Sequence, residues 1–467
     1  MNKITLSLSV SALALALAAC GSSSSGPTVL EPNPPAAPEP EDSYIRVHHG
    51  SADAPAVNVT VNGDNFLEGV DYQVSSGVAT VEEGDYSVGV DALLADGSTA
   101  TVIGPLDLEL TGEMRYEVFA LGSVAGETLE PLLIANENTA VEAGNARIQV
   151  LHGVPVDLTV DVFLTEFGAD LSAEQPAATL AYQDYTPQVS VPAGDYQVRI
   201  TVSGDPTAVV FDSGELALPD GADLVIAATP NVGANADDRP IALLVADGEG
   251  SAVLHSVDTG ADLRVVHAVA DAPAVDVLVN GDVAIPSLEF LDFAGYVNLP
   301  AAAYDIQVTP AGANDTVVID VEGLPLTNAQ AYTVLAVGSL TDGTIGPAVL
   351  EDENRRVATE SIVRIVHASP AAGEVDIYVT ATADIADAEP AFAGVDFDAA
   401  ALQTTGNVSL MPGEYYVTVT AAGTKTAAIG PLLLDFAGGG LYTAIAVDPS
   451  EGESLPQLIV LDDFLVP

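Results

Sequence analysis

The 467-residue chain sets 11 Lys+Arg against 67 Asp+Glu, a formal charge of −56, yet 48% of it is hydrophobic and its mean hydropathy is +0.34. A field of that sign repels nucleic acid and anionic lipid headgroups, which excludes both as surface partners, and it attracts cations and cationic proteins. The apolar content excludes a solvated coil and calls for folded cores inside an acidic shell.

The chain begins with a positive start, Met1–Lys3, a short apolar run, Ile4–Leu17, and the ending Leu17-Ala18-Ala19-Cys20. That run is too short to span a bilayer as a helix, so residues 1–19 read as a secretory signal. Cys20 is the single cysteine, which leaves no disulfide framework and no cysteine metal site. The ending resembles the bacterial lipobox, which implies that Cys20 is lipidated and becomes the first residue of the mature protein. Gly21 stands where an aspartate would imply retention in the inner membrane, so the resemblance implies a lipid anchor in the outer membrane. Residues 20–43, rich in Ser, Gly, Pro and Glu and without apolar periodicity, are expected to be a disordered tether reaching at most roughly 65 Å.

From there the run Arg264–Asp282, R-V-V-H-A-V-A-D-A-P-A-V-D-V-L-V-N-G-D, organises the chain. It returns in related form at Arg46, Gln149 and Arg364, each time opening a segment of roughly one hundred residues, the size of a domain. Four modules follow: 44–138, 146–248, 261–352 and 361–467. In the first, the period-two alternation of Ile45, Val47 and His49 predicts a strand, and Val57, Val59 and Val61 predict a second, closed by Asn62-Gly63-Asp64. Further strands are expected at Tyr72–Val74, Val78–Val81, Tyr86–Val90, Thr101–Ile103, Tyr116–Leu121 and Leu132–Ala135. Short strands at this spacing, with no helical period, predict an all-β chain of four tandem immunoglobulin-like antiparallel β-sandwiches. A turn hands a tyrosine to the following strand in each module: Tyr86, Tyr196, Tyr304 and Tyr415. Polar joints are expected at Asn136–Asn145, Gly248–Asp262 and Glu351–Ser361. Four domains in line would extend on the order of 120 Å.

Modules one and three turn at once after the second strand, whereas two and four run into longer loops, Thr165–Pro176 and Ala381–Pro390. This alternation reads as a two-module unit that was duplicated. The two loops are candidate contact surfaces, since recognition tends to sit on loops carried by a rigid scaffold; a tolerated insertion without a role is the plainer alternative.

Four of the six histidines share one module position, His49, His152, His267 and His367, and nine residues on stand Asn58, Asp161, Asp276 and Asp376. If the first two strands form a hairpin, each pair faces across it, and a carboxylate there would raise the imidazole pKa. A catalytic role would need a recurring nucleophile, but Ser51 and Ser369 give way to Val154 and Val269 in the other modules, and no G-x-S-x-G occurs. One histidine per module is too few for a metal site. The expected role is structural, with each histidine bonding an aspartate or a loop carbonyl and pinning the first turn. The turns Asp53-Ala54-Pro55 and Asp271-Ala272-Pro273 invite calcium, but no D-x-D-x-D-G loop is present, and only weak, unspecific cation binding stays open. No catalytic residue, cofactor or metal site is assigned.

The run R-[IV]-V-H-A with D-A-P-A-V-D-V-x-V-N-G, then P-A-G-x-Y and a later Y-T-V-x-A-V-G, resembles the bacterial domain of unknown function 4397. The resemblance is strongest in modules one and three and weakest in two, where Gln149 replaces the arginine and the D-A-P turn is lost. It implies an immunoglobulin-like sandwich in secreted or surface-anchored proteins and no chemistry. The combined expectation is a non-enzymatic, lipid-anchored envelope protein that binds a protein or glycan at the cell surface. A passive spacer is the alternative and a hydrolase the third reading. An acidic shell of this density repels itself, so the midpoint of thermal unfolding should rise as NaCl is added to a low-salt buffer; a midpoint indifferent to salt would contradict this.

Overall fold

The computed structural model describes residues 40–398, 402–450, 452–453 and 455–465. The expected signal segment, Cys20 and the tether up to Glu39 lie outside the described residues.

Eight strands build module one: β1 (Asp42–His49), β2 (Val57–Val61), β3 (Asp64–Val70), β4 (Ala79–Glu82), β5 (Gly84–Leu93), β6 (Thr99–Leu110), β7 (Met114–Leu121) and β8 (Glu130–Glu137). They form two four-stranded sheets, ordered β4-β1-β7-β8 and β3-β2-β5-β6. Val47 of the first sheet packs on Val59 and Val88 of the second, with Ile45, Tyr116 and Leu110 beside them, so the two sheets close one core. The other three modules repeat both strand orders. The chain is therefore all-β, a series of four β-sandwiches. In each, the tyrosine after the turn donates its hydroxyl to the carbonyl four residues back, as Tyr86 does to Glu82 at 2.8 Å and Tyr304 to Pro300 at 2.9 Å.

Several details differ from the sequence reading. Residues 64–70 form a strand, and Tyr72–Val74 a turn. The reason is that β2 and β3 pair through register shifts at Val59 and Thr60, which break the alternation by which a strand is recognised. The sandwich is not purely antiparallel: β1 runs parallel to β7, with Arg46 opposite Glu117 and His48 opposite Phe119. The same parallel pair recurs in every module. The joint after module two carries a strand, Ser251–His255, which adds a fifth member to that module's first sheet.

A parallel pair normally lies inside a structure, covered on both faces. Here one face belongs to the sandwich core and the other meets a neighbouring module. Phe119, Leu121 and Ile134 of module one pack on Leu151, Val225, Ala227 and Leu244 of module two. Val266, Leu335 and Val337 of module three pack likewise on Val366, Ile445 and Val447 of module four. The modules thus come in face-to-face pairs, one with two and three with four. Gly153, directly after a motif histidine, lets the first pair approach closely: a Cβ there would lie 3.1 Å from Leu121 Cδ2 of module one, while the equivalent Gly50 has Thr229 of module two 3.8 Å from the same position.

Nor do the modules stand in line. Arg355, in the joint between modules three and four, reaches module one, where its Nε donates to the Ala52 carbonyl at 3.0 Å and its Nη1 pairs with Asp71 at 2.6 Å. Ala234, in a loop of module two, donates its amide to the Ala329 carbonyl of module three at 3.1 Å. Contacts between residues some three hundred positions apart fold the series back on itself.

Leu121 is fully buried in the contact between modules one and two. Leu121→Ala should destabilise the chain by about 2–5 kcal/mol through lost transfer energy and the cavity left behind. Because the side chain belongs to both modules, denaturant unfolding should show them melting together at the lowered midpoint; an unchanged midpoint would contradict the shared interface.

Candidate functional site

Three of the motif histidines end the first strand of their modules and His367 stands one residue from the end of its own, all turned into the core. Each donates from Nε2 to the carbonyl six residues on: His49 to Pro55 at 2.9 Å, His152 to Leu158 at 3.1 Å, His267 to Pro273 at 3.1 Å and His367 to Gly373 at 2.7 Å. In three modules Nδ1 accepts the amide two residues on, from Val154, Val269 and Ser369. This arrangement selects the neutral tautomer with its proton on Nε2. Each ring therefore staples the loop that crosses from one sheet to the other. An aromatic edge rests on three of them, Tyr72, Phe290 and Phe397, with ring centroids 6.1, 6.2 and 6.5 Å away.

The expected His–Asp pairs do not form. The first and second strands belong to different sheets and never make a hairpin, so His49 and Asn58, His152 and Asp161, His267 and Asp276, and His367 and Asp376 lie apart. The raised imidazole pKa does not follow either: burial pushes His49, His152 and His267 below the usual 6.5. The acidic residues instead hold backbone in the left-handed region. Asp276 accepts the amides of Ser287 and Gly312, and Asp376 those of Gly394 and Gly423. Asp161 accepts the amide of Gly204 and the hydroxyls of Thr179 and Ser203, and Asn58 the amide of Gly69. All six residues holding those amides have φ between 52 and 81°. A carboxylate facing two such amides secures the bulge of one hairpin and the turn of the next.

The D-A-P turns are equally committed. Asp53 accepts from the Ser123 hydroxyl at 2.7 Å and from the amides of Val124 and Ala125 at 2.9 Å. Asp271 does the same with Ser339, Leu340 and Thr341. Burial opposes ionisation of Asp271, but the amides of Thr341 and Leu340 outweigh it and hold the carboxyl at about 2. Ser51 donates to the Gly122 carbonyl at 2.9 Å, and Ser369 to Asp448. Among the described residues no three His, Cys, Asp or Glu side chains are grouped to hold a metal ion.

The two long loops differ. In Thr165–Pro176, Phe167, two residues past the end of the strand Val160–Thr165, is 62% exposed, while Arg199 ties the loop through the Ala169 carbonyl at 2.6 Å. In Ala381–Pro390, Ile385 is buried and Lys425, lying over the Tyr378 ring, bonds the Ala388 carbonyl.

Sequence reasoning missed a buried charge network in the contact between modules one and two. Glu117 takes Arg46 Nε at 2.8 Å and Nη2 at 2.9 Å, and lies 3.1 Å from Arg115. It also accepts His48 Nε2 at 2.9 Å, and His48 Nδ1 takes the Ser75 hydroxyl at 2.7 Å. The His48 ring stacks on Phe119 at 4.1 Å. Arg115 continues to Asp223 of module two, which Arg147 also grips at 2.8 and 2.6 Å. Burial keeps His48 neutral, since the two arginines already balance Glu117. Burial would also raise the Glu117 carboxyl, but its bonds to His48 and Arg46 hold it at about 2. The available signal was an odd residue: His48 stands where the other modules have Leu151, Val266 and Val366.

In the second pair the network becomes an exchange. Arg264 of module three reaches Asp462 of module four at 2.6 Å, and Arg364 of module four reaches Asp352 of module three at 2.6 Å. Where Asp352 and Arg364 stand, the first pair has Asn136 and Gln149, bonded at 2.9 Å. Gln149 in place of the motif arginine is therefore half of a matched substitution.

The profile of a domain of unknown function (DUF4397) matches residues 43–163 and 261–378, together just over half of the chain. The chain belongs to the DUF4397 family. Both matched segments start at the first strand of an odd-numbered module and run into the second strand of its pair partner, so the family unit includes residues from both sides of each module contact. Among curated proteins, nothing matches this DUF4397 chain.

The titrating groups give stability a defined pH dependence. His48, His49, His152, His255 and His267 are all held below 6.5 in the fold by burial. The unfolded chain then binds more protons, so the stability they contribute is present above 6.5 and lost as pH falls. Glu117 and Asp223, at about 2 when folded against 4.5 and 3.8 otherwise, add a second loss below about pH 4.5. Denaturant midpoints should fall between about pH 7 and pH 5 and fall further in acid. Glu117→Gln should cost about 3–5 kcal/mol at neutral pH by leaving Arg46 buried without its carboxylate, and should flatten the acid limb. A variant as stable as the parent would refute the role given to the network.

Proposed function

We propose that this DUF4397 chain is a non-enzymatic cell-envelope protein, lipid-anchored through Cys20 in the outer membrane, whose paired sandwiches carry a surface-binding loop. The observation that carries this reading is Phe167, a large aromatic side chain 62% exposed in a loop that Arg199 holds through the Ala169 carbonyl. Exposed aromatic residues on rigid scaffolds make anchors for a protein or glycan partner. The corresponding loop of module four, Ala381–Pro390, has no aromatic residue, so the binding role falls to the loop of module two.

The polar residues of the repeated motif support a non-enzymatic reading, because each one described above is engaged in holding loops, bulges or module contacts. Ser75, His48 and Glu117 do follow one another as hydroxyl, imidazole and carboxylate. Yet Ser75 is only 5% exposed, His48 is fully buried beneath Phe119, and Glu117 is already engaged by Arg46, an arrangement suited to cementing modules rather than to attacking a substrate. That same engagement favours the passive spacer as the second reading.

Cys20→Ala should move the protein from the envelope to the soluble fraction. With the anchor intact, Phe167→Ala should abolish envelope partners recovered by crosslinking and pull-down while leaving the melting temperature unchanged. Recovery that persists in Phe167→Ala would leave the spacer reading.

A further inference from the structure

The turn at the start of module one is a seat for an arginine. Arg355 enters it from the joint between modules three and four, donating from Nε to the Ala52 carbonyl and from Nη2 to the Ala54 carbonyl. Its Nη1 pairs with Asp71 at 2.6 Å, and its guanidinium lies 5.0 Å from the centre of the Tyr72 ring. Three residues on, Ala358 donates its amide to the Asp53 carbonyl at 2.8 Å. Two carbonyls, a carboxylate and an aromatic face suit a guanidinium, which is planar and offers five donors, and serve an ammonium poorly.

Module three builds the same framework. Ala270-Asp271-Ala272-Pro273 stands where module one has Ala52-Asp53-Ala54-Pro55, and Glu289-Phe290 stands where it has Asp71-Tyr72. The register agrees: Leu288, just before Glu289, pairs with Val275 as Val70, just before Asp71, pairs with Val57. The internal supports agree as well. His267 bonds the Pro273 carbonyl and meets Phe290 edge-on, as His49 bonds Pro55 and meets Tyr72. Asp271 is tied to its neighbouring turn as Asp53 is. Whereas Tyr72, beneath Arg355, is 7% exposed, Phe290 is half-buried and Glu289 is exposed, with no cation beside it among the described residues. Ala270 and Ala272 line an open cleft of about 760 Å³, whose other wall is Pro370, Ala371 and Asp448 of module four.

We propose that this module-three seat, beside the cleft, binds an arginine-bearing peptide segment of another protein, with the guanidinium on the Ala270 and Ala272 carbonyls and the Glu289 carboxylate, stacked on Phe290. A backbone amide three residues on would reach the Asp271 carbonyl. A second copy of this chain cannot supply the arginine. All nine of its arginines are engaged within the chain: Arg46, Arg115 and Arg147 with Glu117 and Asp223, Arg264 and Arg364 with Asp462 and Asp352, Arg199 with Ala169, Arg239 with Asp258, Arg355 with Asp71 and Arg356 with Asp463. The net charge of −56 also opposes self-association and favours a cationic partner. The proposal stands apart from the role given to Phe167.

The chain itself provides the probe: a fluorescent peptide copying residues 353–358, titrated into the full chain in detergent at physiological salt. Glu289→Gln and Phe290→Ala should each weaken its binding about tenfold or more, as should a lysine at the peptide position matching Arg355. Asp71→Asn should leave the affinity unchanged. The proposal is overturned if the lysine peptide binds as well as the arginine peptide, which would mean diffuse attraction to the acidic surface. It is equally overturned if binding survives Glu289→Gln, or is lost in Asp71→Asn because the peptide had displaced Arg355 from module one.

Discussion

The rest of the structure depends on one constraint: the strand carrying the repeated motif is buried on both faces. In β1, Ile45 and Val47 face the sandwich core while Arg46 and His48 face module two, and all four are buried. A strand placed beside a parallel partner in mid-sheet needs cover on each side. One sandwich supplies a single cover, so the second must come from another module. Pairing is therefore a consequence of where the first strand sits, and the apolar clusters between modules one and two and between three and four follow from it. The strand Ala331–Val337, buried along its whole length, carries the same constraint in its sequence as an unbroken run without an exposed side.

Apolar packing alone would let any module pair with any other, since the faces are built from similar Leu, Val and Ile side chains. The polar residues set among them discriminate. Arg364 needs Asp352, and Gln149 needs Asn136; a module one facing a module four would bury Arg364 against an amide. A buried charge without its partner costs several kcal/mol, whereas the matched pair gains little over an apolar substitute. The contribution of these pairs is accordingly to select register and partner more than to add stability. His48 extends this logic, since it gives Glu117 a third donor, and only the first pair holds a glutamate there; modules three and four have Thr333 and Thr443.

Much of the fold was legible because it is local. The four copies, most strands, the tyrosine turns and the place of the four histidines all follow from spacing within about a hundred residues. The strand Asp64–Val70 was hidden by the bulge that breaks its alternation, and the histidine partners by the assumption that successive strands form a hairpin. The seven residues between His49 and Val57 are enough to change sheets, which separates His49 from Asn58 and puts the Pro55 carbonyl within its reach. The module contacts were illegible for a different reason. A polar residue in a period-two strand reads as solvent-facing, and nothing in the sequence around Arg46 or Arg264 distinguishes water from a second module. The seat of Arg355 is more remote still, since its ligands lie some three hundred residues earlier.

The scarcity of cations gives these contacts a common electrostatic sense. Bringing two acidic modules together concentrates like charge at the seam, where solvent screening is weakest. Six of the nine arginines stand at such seams: Arg115 and Arg147 converge on Asp223 between modules one and two, Arg264 and Arg364 cross between three and four, and Arg355 and Arg356 fasten the intervening joint to module one and to Asp463 of module four. Each cation compensates carboxylates that would otherwise drive the surfaces apart, leaving the outer shell almost purely acidic. The fold and the surface field thus have a single origin: positive charge is used up internally where modules meet, and what remains exposed attracts positive charge from outside.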